Sequence, residues 1–126
     1  HLEIDHVLYL KFMFADFNAT NIIAVDRFRL YIFTENERML RKINISHEEH
    51  ECIESVAVNH IMKRILVKRS NYSSGSSSLL SFSETGDLVD SLNLGSSEWI
   101  KNAKLISHPY GPVALVGETG VALLQL

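Results

Sequence analysis

Several features that commit a chain to a particular class are scarce in these 126 residues. There is one cysteine, Cys52, so an internal disulfide framework is excluded. No apolar run reaches the roughly 18 residues that a membrane-spanning helix needs. Glu3 and Asp5 interrupt the first residues, which therefore do not resemble a signal peptide. These absences favour a globular protein of the reducing cytoplasm.

An excess of positive charge is also missing. The formal net charge is −3, which argues against a wholly basic nucleic-acid surface but leaves room for local patches. Apolar residues make up 46% of the chain, enough for the core of a single domain. Three N-x-S/T triplets, beginning at Asn18, Asn44 and Asn71, keep an extracellular glycoprotein open as an alternative, although such triplets are frequent by chance.

One thirteen-residue pattern occurs twice. FTENERMLRKINI (residues 33–45) returns as FSETGDLVDSLNL (residues 82–94), 49 positions later. In both copies an aromatic residue precedes a polar turn, after which apolar residues return at spaced positions, and Gly86 suits a tight turn. The pattern predicts a β-hairpin used twice.

The similarity extends beyond the hairpins. NIIAVDR (21–27) aligns with KRILVKR (63–69) at an offset of 42, so the second unit carries seven extra residues, which we place in the Gly/Ser tract SNYSSGSSS (70–78) as a mobile loop. A third partial copy aligns IESVAVN (53–59) with YGPVALV (110–116). The unit therefore recurs about two and a half times.

Each full unit predicts four short strands, and such units at a period of roughly 40 to 50 residues are typical of β-propeller blades. We expect an all-β chain forming a single partial propeller. Its blades span residues 8–46, 52–95 and, incomplete, 103–126. The predicted strands are residues 11–16, 22–26, 29–34, 39–45, 53–58, 64–68, 78–83, 88–94, 112–116 and 121–126, with a helical turn at 96–102. Since two and a half blades cannot close a ring, we expect the rest of the propeller, or another copy of the chain, to cover the exposed end.

Short motifs in these units resemble the NHL repeat. HPYGPVAL (108–115) followed by GETGVALL (117–124) resembles the entry into an NHL blade, and SVAVN (55–59) and AVDRFRLYIF (24–33) are similar to its first three strands. The resemblance implies a cytoplasmic, non-enzymatic module of the tripartite-motif or Brain-tumor type that binds RNA or protein through rim loops, in post-transcriptional regulation or ubiquitin-ligase substrate recognition. One departure is that the second-strand aspartate, Asp26, is replaced by Lys68 in the second unit.

The densest basic cluster supplies the candidate binding site. It combines four cations with an aromatic residue that could stack on a base, and in a strand Arg64 and Lys68 share one face. The predicted RNA- or partner-binding residues are Lys63, Arg64, Lys68, Arg69 and Tyr72. The alternative interpretation is a solvated, charged strand edge that deters sheet pairing.

Metal and catalytic interpretations rest on weaker patterns. His47 and His50 have a spacing that suits a metal on a helical turn, but no third ligand lies nearby in sequence, and His60 and His108 suit strand ends. A channel-centred, metal-dependent propeller hydrolase, and an extracellular interaction domain, stay open as alternatives. The hydrolase would use strand-end residues such as Asp16, Asn18, Asn59 and His60. We expect no enzyme activity, no cofactor and no bound metal.

Overall fold

The protein consists of three antiparallel sheets that follow one another along the chain. The computed structural model describes residues 9–12, 21–34, 38–46, 50–108 and 111–124. The first sheet contains β1 (Tyr9–Phe12), β2 (Asn21–Val25), β3 (Arg29–Thr34) and β4 (Met39–Asn44). The second contains β5 (Glu51–Asn59), β6 (Arg64–Asn71), β7 (Ser77–Ser83) and β8 (Leu88–Gly95). A short helix, α1 (Glu98–Asn102), leads to the third, made of β9 (Lys104–Ile106), β10 (Val113–Val116) and β11 (Val121–Leu124).

Within each sheet, strands that are consecutive in sequence are neighbours in space. This meander confirms the all-β prediction, and none of the three sheets closes on itself. The repeated pattern forms β3–β4 in the first sheet and β7–β8 in the second, so both predicted hairpins are confirmed. The predicted helical turn is confirmed as α1.

Two details of the predicted strands are wrong. The third unit has three strands and not two, because β9, only three residues long, was too short to stand out in the pattern. The Gly/Ser tract is also partly strand: β6 ends at Asn71 and β7 begins at Ser77, so four of its nine residues lie in strands. What remains is a compact turn, in which the Asn71 side chain accepts hydrogen bonds from the backbone N–H of Ser73 and Ser74, at 2.9 and 3.1 Å.

The second sheet lies between the other two, and its strands β5, β6 and β7 are buried on both faces, whereas β8 is mostly exposed. Alternate residues of β6 show this directly: Ile65 and Val67 pack against the first sheet, whereas Leu66 packs against the third. The core on the first side contains large branched residues of both sheets, such as Ile23 and Ile32. The core on the other side includes smaller residues, such as Ala57 and Ala103. Because both faces of β5 and β6 are buried, their sequences contain runs of consecutive apolar residues and do not alternate between apolar and polar residues.

Polar contacts fix the sheets to one another at defined points. The backbone N–H of Ile53 donates to the Arg27 carbonyl at 2.8 Å, which joins the second sheet to the first. The Ser55 hydroxyl accepts from the N–H of Leu105 at 2.8 Å, which joins it to the third. Each such bond contributes about 1 kcal/mol net to the stability of the fold. Because hydrogen bonds are directional, these bonds also fix how the sheets are aligned, and so which turns lie at the same end of the stack.

Two ends of the stack are therefore distinguished. The Tyr72 rim is the end that carries the turns of residues 26–28 and 72–76 and the helical connection of residues 96–103. The Lys63 rim is the opposite end, with the turns of residues 60–63 and 84–87. This division decides which functional side chains meet.

Candidate partner-binding groove

The predicted basic cluster is divided between the two ends of β6. Lys63 and Arg64 lie where β6 begins, on the Lys63 rim, whereas Arg69 and Tyr72 lie where it ends. At about 3.3 Å per residue, Arg64 and Tyr72 are separated by roughly 25 Å. The five predicted residues therefore do not lie together at one end of the strand. The two groups cannot contact one small ligand together.

Lys68 is the clearest correction. It was predicted as a partner-binding residue, which must be exposed, but its side chain has 0% exposure. It occupies a position of β6 that points between the second and third sheets, where its ammonium donates to Glu54 Oε2 at 2.9 Å, to the Ala103 carbonyl at 2.9 Å and to the Lys101 carbonyl at 3.2 Å. Three acceptors match the three N–H donors of an ammonium. Lys68 therefore fastens the third unit to the second, and it is inaccessible to a partner.

Arg69 is also engaged within the fold. Its Nη1 donates to the Ile45 carbonyl at 2.8 Å and its Nε donates to Ser78 Oγ at 3.2 Å, while Glu51 Oε2 lies 3.6 Å from Nε. Only 24% of its side chain is exposed. Arg69 thus links the second sheet to the segment that follows β4.

On the opposite rim, Lys63 and Arg64 form part of the β5–β6 turn. Lys63 has a φ of 56°, in the left-handed region, and Arg64 Nη1 donates to the carbonyls of Met62 and Lys63 at 3.0 and 3.3 Å. The turn is capped by the buried Asn59, whose Oδ1 accepts from the N–H of Ile61 and Met62. Both cations are half-buried. Whether they bind a partner stays a prediction.

Tyr72 is the predicted residue that the structure presents to solvent. It is 63% exposed. Its backbone N–H donates to the His50 carbonyl at 2.7 Å, and its hydroxyl accepts from Cys52 Sγ at 3.3 Å. The ring is thereby held at both ends while one face stays open.

A groove of about 370 Å³ runs beside this ring. Each sheet region contributes a wall: the turn after β2, the start of β5, and the connection from α1 to β9. Its lining includes Arg27, Cys52, Glu54, Tyr72, Lys101 and Lys104. A second hollow of about 280 Å³, lined by the residues 70–77 turn, shares Glu54, Tyr72, Lys101 and Asn102 with it. Tyr72 therefore stands between two connected hollows.

The groove is positive although the chain as a whole is negative. Arg27, Lys101 and Lys104 are among its lining residues and are exposed. Its acidic residue, Glu54, is already neutralised by Lys68. Lys101 has a partner in Glu98, but at 3.9 Å and in an exposed position that contact is weak. The arrangement favours an anionic ligand.

The Tyr72 phenol stays neutral over the physiological range. Its hydrogen bond with Cys52, and then burial of the hydroxyl, raise the pKa of Tyr72 to about 12. The ring is therefore an uncharged stacking surface next to three cations.

Sequence analysis named Tyr72 as a candidate binding residue but did not name the other charged residues that line this groove. Arg27 lies in the first unit, 45 residues before Tyr72 in the sequence. Lys101 and Lys104 lie in the connection between units, where no repeat pattern marks them. A weak indication in the sequence was that two lysines lie three residues apart shortly after Trp99.

The residues considered for metal binding do not converge in the described part of the chain. Within residues 9–12, 21–34, 38–46, 50–108 and 111–124, no group of three or more His, Cys, Asp or Glu side chains is placed to hold an ion. Asp16, Asn18 and His47 lie outside the described residues, while Asn59 and His60 are buried at the end of β5. Across the same ranges, no helix is both long and apolar enough to span a bilayer.

Comparison with known proteins addresses the fold alone. No protein-family model matches the chain, and no curated protein does. The chain is similar to a crystal structure of a protein of unknown function from Bacteroides caccae, with a TM-score of 0.52 and 11% sequence identity over 75% of this chain. The match covers 34% of that protein, so the chain spans about a third of its length. At this identity the likeness concerns architecture, and no function follows from it.

Proposed function

We propose that this chain is part of an NHL-like β-propeller that acts as a non-enzymatic binding module. Three four-stranded or near four-stranded meanders packed face to face are the arrangement of neighbouring blades. The outer face of the third sheet supports a larger assembly, because it presents apolar residues to solvent. These are Ile106, Val116, Val121 and Leu123. In a complete propeller this face packs against a further sheet, supplied by the rest of the propeller or by another copy of the chain.

We propose further that the groove on the Tyr72 rim binds single-stranded RNA. The observation that carries this proposal is an exposed aromatic ring, fixed by Cys52, in a groove lined by Arg27, Lys101 and Lys104. Single-stranded nucleic acid is held by the same combination of stacking and phosphate contacts. In this proposal one base stacks on Tyr72 and the three cations contact the phosphates on either side. Post-transcriptional regulation in the cytoplasm is the corresponding cellular role.

The expected stacking free energy and salt dependence make the proposal testable. Stacking on one aromatic side chain contributes about 1 to 3 kcal/mol. Three phosphate contacts predict a slope of log K against log salt of about −2, since each phosphate of a single strand contributes about −0.7. An interaction that depended on shape or apolar contact with a protein would show little of this salt dependence.

The test is binding of a fluorescein-labelled oligouridine, followed by anisotropy across a salt series. Tyr72→Ala is expected to weaken binding by about 1 to 3 kcal/mol with little change in slope, whereas the double variant Lys101→Ala, Lys104→Ala reduces the slope to about −0.7. The matched control is Lys63→Ala with Arg64→Ala, which removes the same charge from the opposite rim. Equal losses in the control and groove variants would contradict the groove as the site.

The protein-partner alternative is an outcome of the same experiment. If the chain binds an oligoglutamate peptide through Lys101 and Lys104 but binds no RNA in low salt, an acidic protein segment is the ligand. Absence of both interactions overturns the binding groove altogether.

A further inference from the structure

The tip of the β5–β6 turn, on the Lys63 rim, presents two large apolar side chains to solvent. Ile61 is 61% exposed and Met62 is 52% exposed. Both residues lie beyond the ends of the paired strands, since β5 ends at Asn59 and β6 begins at Arg64. A further sheet packed on the outer face of the third sheet would therefore leave this tip uncovered, and assembly of a larger propeller does not account for it.

The backbone of the tip has its polar groups paired within the turn. Asn59 Oδ1 accepts from the N–H of Ile61 at 3.1 Å and from that of Met62 at 3.0 Å. Arg64 Nη1 donates to the carbonyls of Met62 and Lys63 at 3.0 and 3.3 Å. A peptide group without a partner is costly in an apolar medium, where water cannot satisfy it. These bonds therefore lower the cost of moving the tip out of water.

Positive charge lies directly beside the two apolar residues. Lys63 and Arg64 follow them in the chain, and among the residues that the structure describes neither cation forms an ion pair. Because Nη1 makes both carbonyl bonds of Arg64, the three N–H donors on Nε and Nη2 suit a phosphate. The neighbouring β7–β8 turn adds two carboxylates, of which Asp87 is paired with Arg41 at 2.6 Å and Glu84 is half-buried. The tip itself is therefore apolar and positive, which complements a surface with an apolar interior and negative headgroups.

We propose that the β5–β6 turn binds the surface of a membrane that contains anionic phospholipid. Ile61 and Met62 enter the boundary between headgroups and acyl chains, while Lys63 and Arg64 contact the lipid phosphates. The strength of such peripheral binding depends on the apolar area buried and on the attraction between cations and anionic headgroups. The turn lies at the opposite end of β6 from the groove, so a failure of RNA binding leaves this proposal intact.

The test is sedimentation of the chain with two kinds of vesicle, one of phosphatidylcholine alone and one in which about a third of the lipid is phosphatidylserine. We expect binding to the anionic vesicles to be about 25-fold stronger, because each of the two cations contributes about fivefold near such a surface. Ile61→Ser with Met62→Ser is expected to weaken this binding by about tenfold or more, since the apolar pair is lost. Circular dichroism checks that each variant is folded.

Two further variants separate the turn from other surfaces. Lys63→Ala with Arg64→Ala is expected to remove the preference for anionic vesicles while the groove on the Tyr72 rim is unchanged. The matched control is Val121→Thr with Leu123→Thr, which removes two exposed apolar residues from the outer face of the third sheet and keeps residues that favour a strand. We expect the control to bind vesicles as the parent does.

Insertion of the tip is measured separately by fluorescence. Acyl chains that carry bromine are expected to quench the emission of the Met62→Trp variant. The parent, whose Trp99 lies in α1 at the opposite rim, is expected to keep its emission. Three results overturn the proposal: no sedimentation with anionic vesicles, equal binding to both compositions, or a loss of binding in the third-sheet control but not in the turn variant. The first of these would assign the exposed pair to a protein partner.

Discussion

The two interfaces of the central sheet are built differently although the units on either side repeat. Toward the first sheet, branched residues such as Ile23, Ile32 and Ile65 interdigitate in an apolar layer. Toward the third sheet, alanines allow closer approach, and a fully buried lysine crosses the layer. The first interface has its polar contacts at the margins, such as the Ile53 N–H to the Arg27 carbonyl, whereas the second carries a buried ion pair and carbonyl contacts within the layer.

The Lys68 and Glu54 pair shows what a buried charge can contribute between two repeated units. The Lys68 and Glu54 pair is weak evidence for stability in itself, because desolvation offsets much of the attraction. Its three acceptors, however, include the carbonyls of Lys101 and Ala103, which belong to the connection into the third sheet. The pair therefore specifies where that connection lies, and with it the position of two groove lysines.

The largest expected effect comes from removing the lysine. Lys68→Ala leaves Glu54 and two backbone carbonyls without their donor, and we expect the free energy of unfolding to fall by about 3 to 5 kcal/mol. Urea unfolding followed by Trp99 fluorescence measures it. Lys68→Met, which keeps the side-chain volume, serves as the comparison and is expected to cost less, since it leaves no cavity between the sheets. A loss below 1 kcal/mol for the alanine variant would show that the pair has no structural role.

Sequence patterns predicted the strands well because the strands repeat and alternate, but they misplaced Lys68. The 42-residue offset aligned it with Asp26, which directly follows β2 and accepts from the N–H of Phe28 and Arg29 at 2.8 and 2.7 Å. The residue that performs this turn-capping role in the second unit is Asn71. Longer strands in the second unit moved the turn, so a rim position became an interior one.

The groove was predictable only in part, for a related reason. Tyr72 lies in a turn, where exposure and function are expected. Its neighbours Arg27 and Lys104 are far from it in sequence and meet it only because three units are stacked. Periodicity within one unit carries no information about residues that converge between units.

Two adjacent residues of β6 allow the interfaces to be compared directly. Ile65 and Leu66 are both fully buried, on opposite faces of the same strand. We expect Ile65→Ala to cost about 3 to 4 kcal/mol and Leu66→Ala about 2 to 3 kcal/mol, because the three-stranded third sheet collapses more readily onto a cavity. Chemical denaturation of the two variants tests the order. A larger cost for Leu66→Ala would mean that the third sheet is the more rigidly held.

The smallest expected effect lies at the rim, where both interfaces open into the groove. Cys52→Ala removes the main cause of the raised pKa of Tyr72, so the midpoint of its ionisation, followed by absorbance at high pH, is expected to fall from about 12 toward the ordinary value near 10. Subtraction of the Tyr72→Phe titration isolates this residue from Tyr31, whose pKa burial also raises. A folded-state pKa above the unfolded value contributes stability below about pH 10 that is lost as the pH rises toward 12. The wild-type protein should therefore lose stability more steeply than Cys52→Ala across this range, and parallel curves would show that the thiol does not hold the ring over the groove.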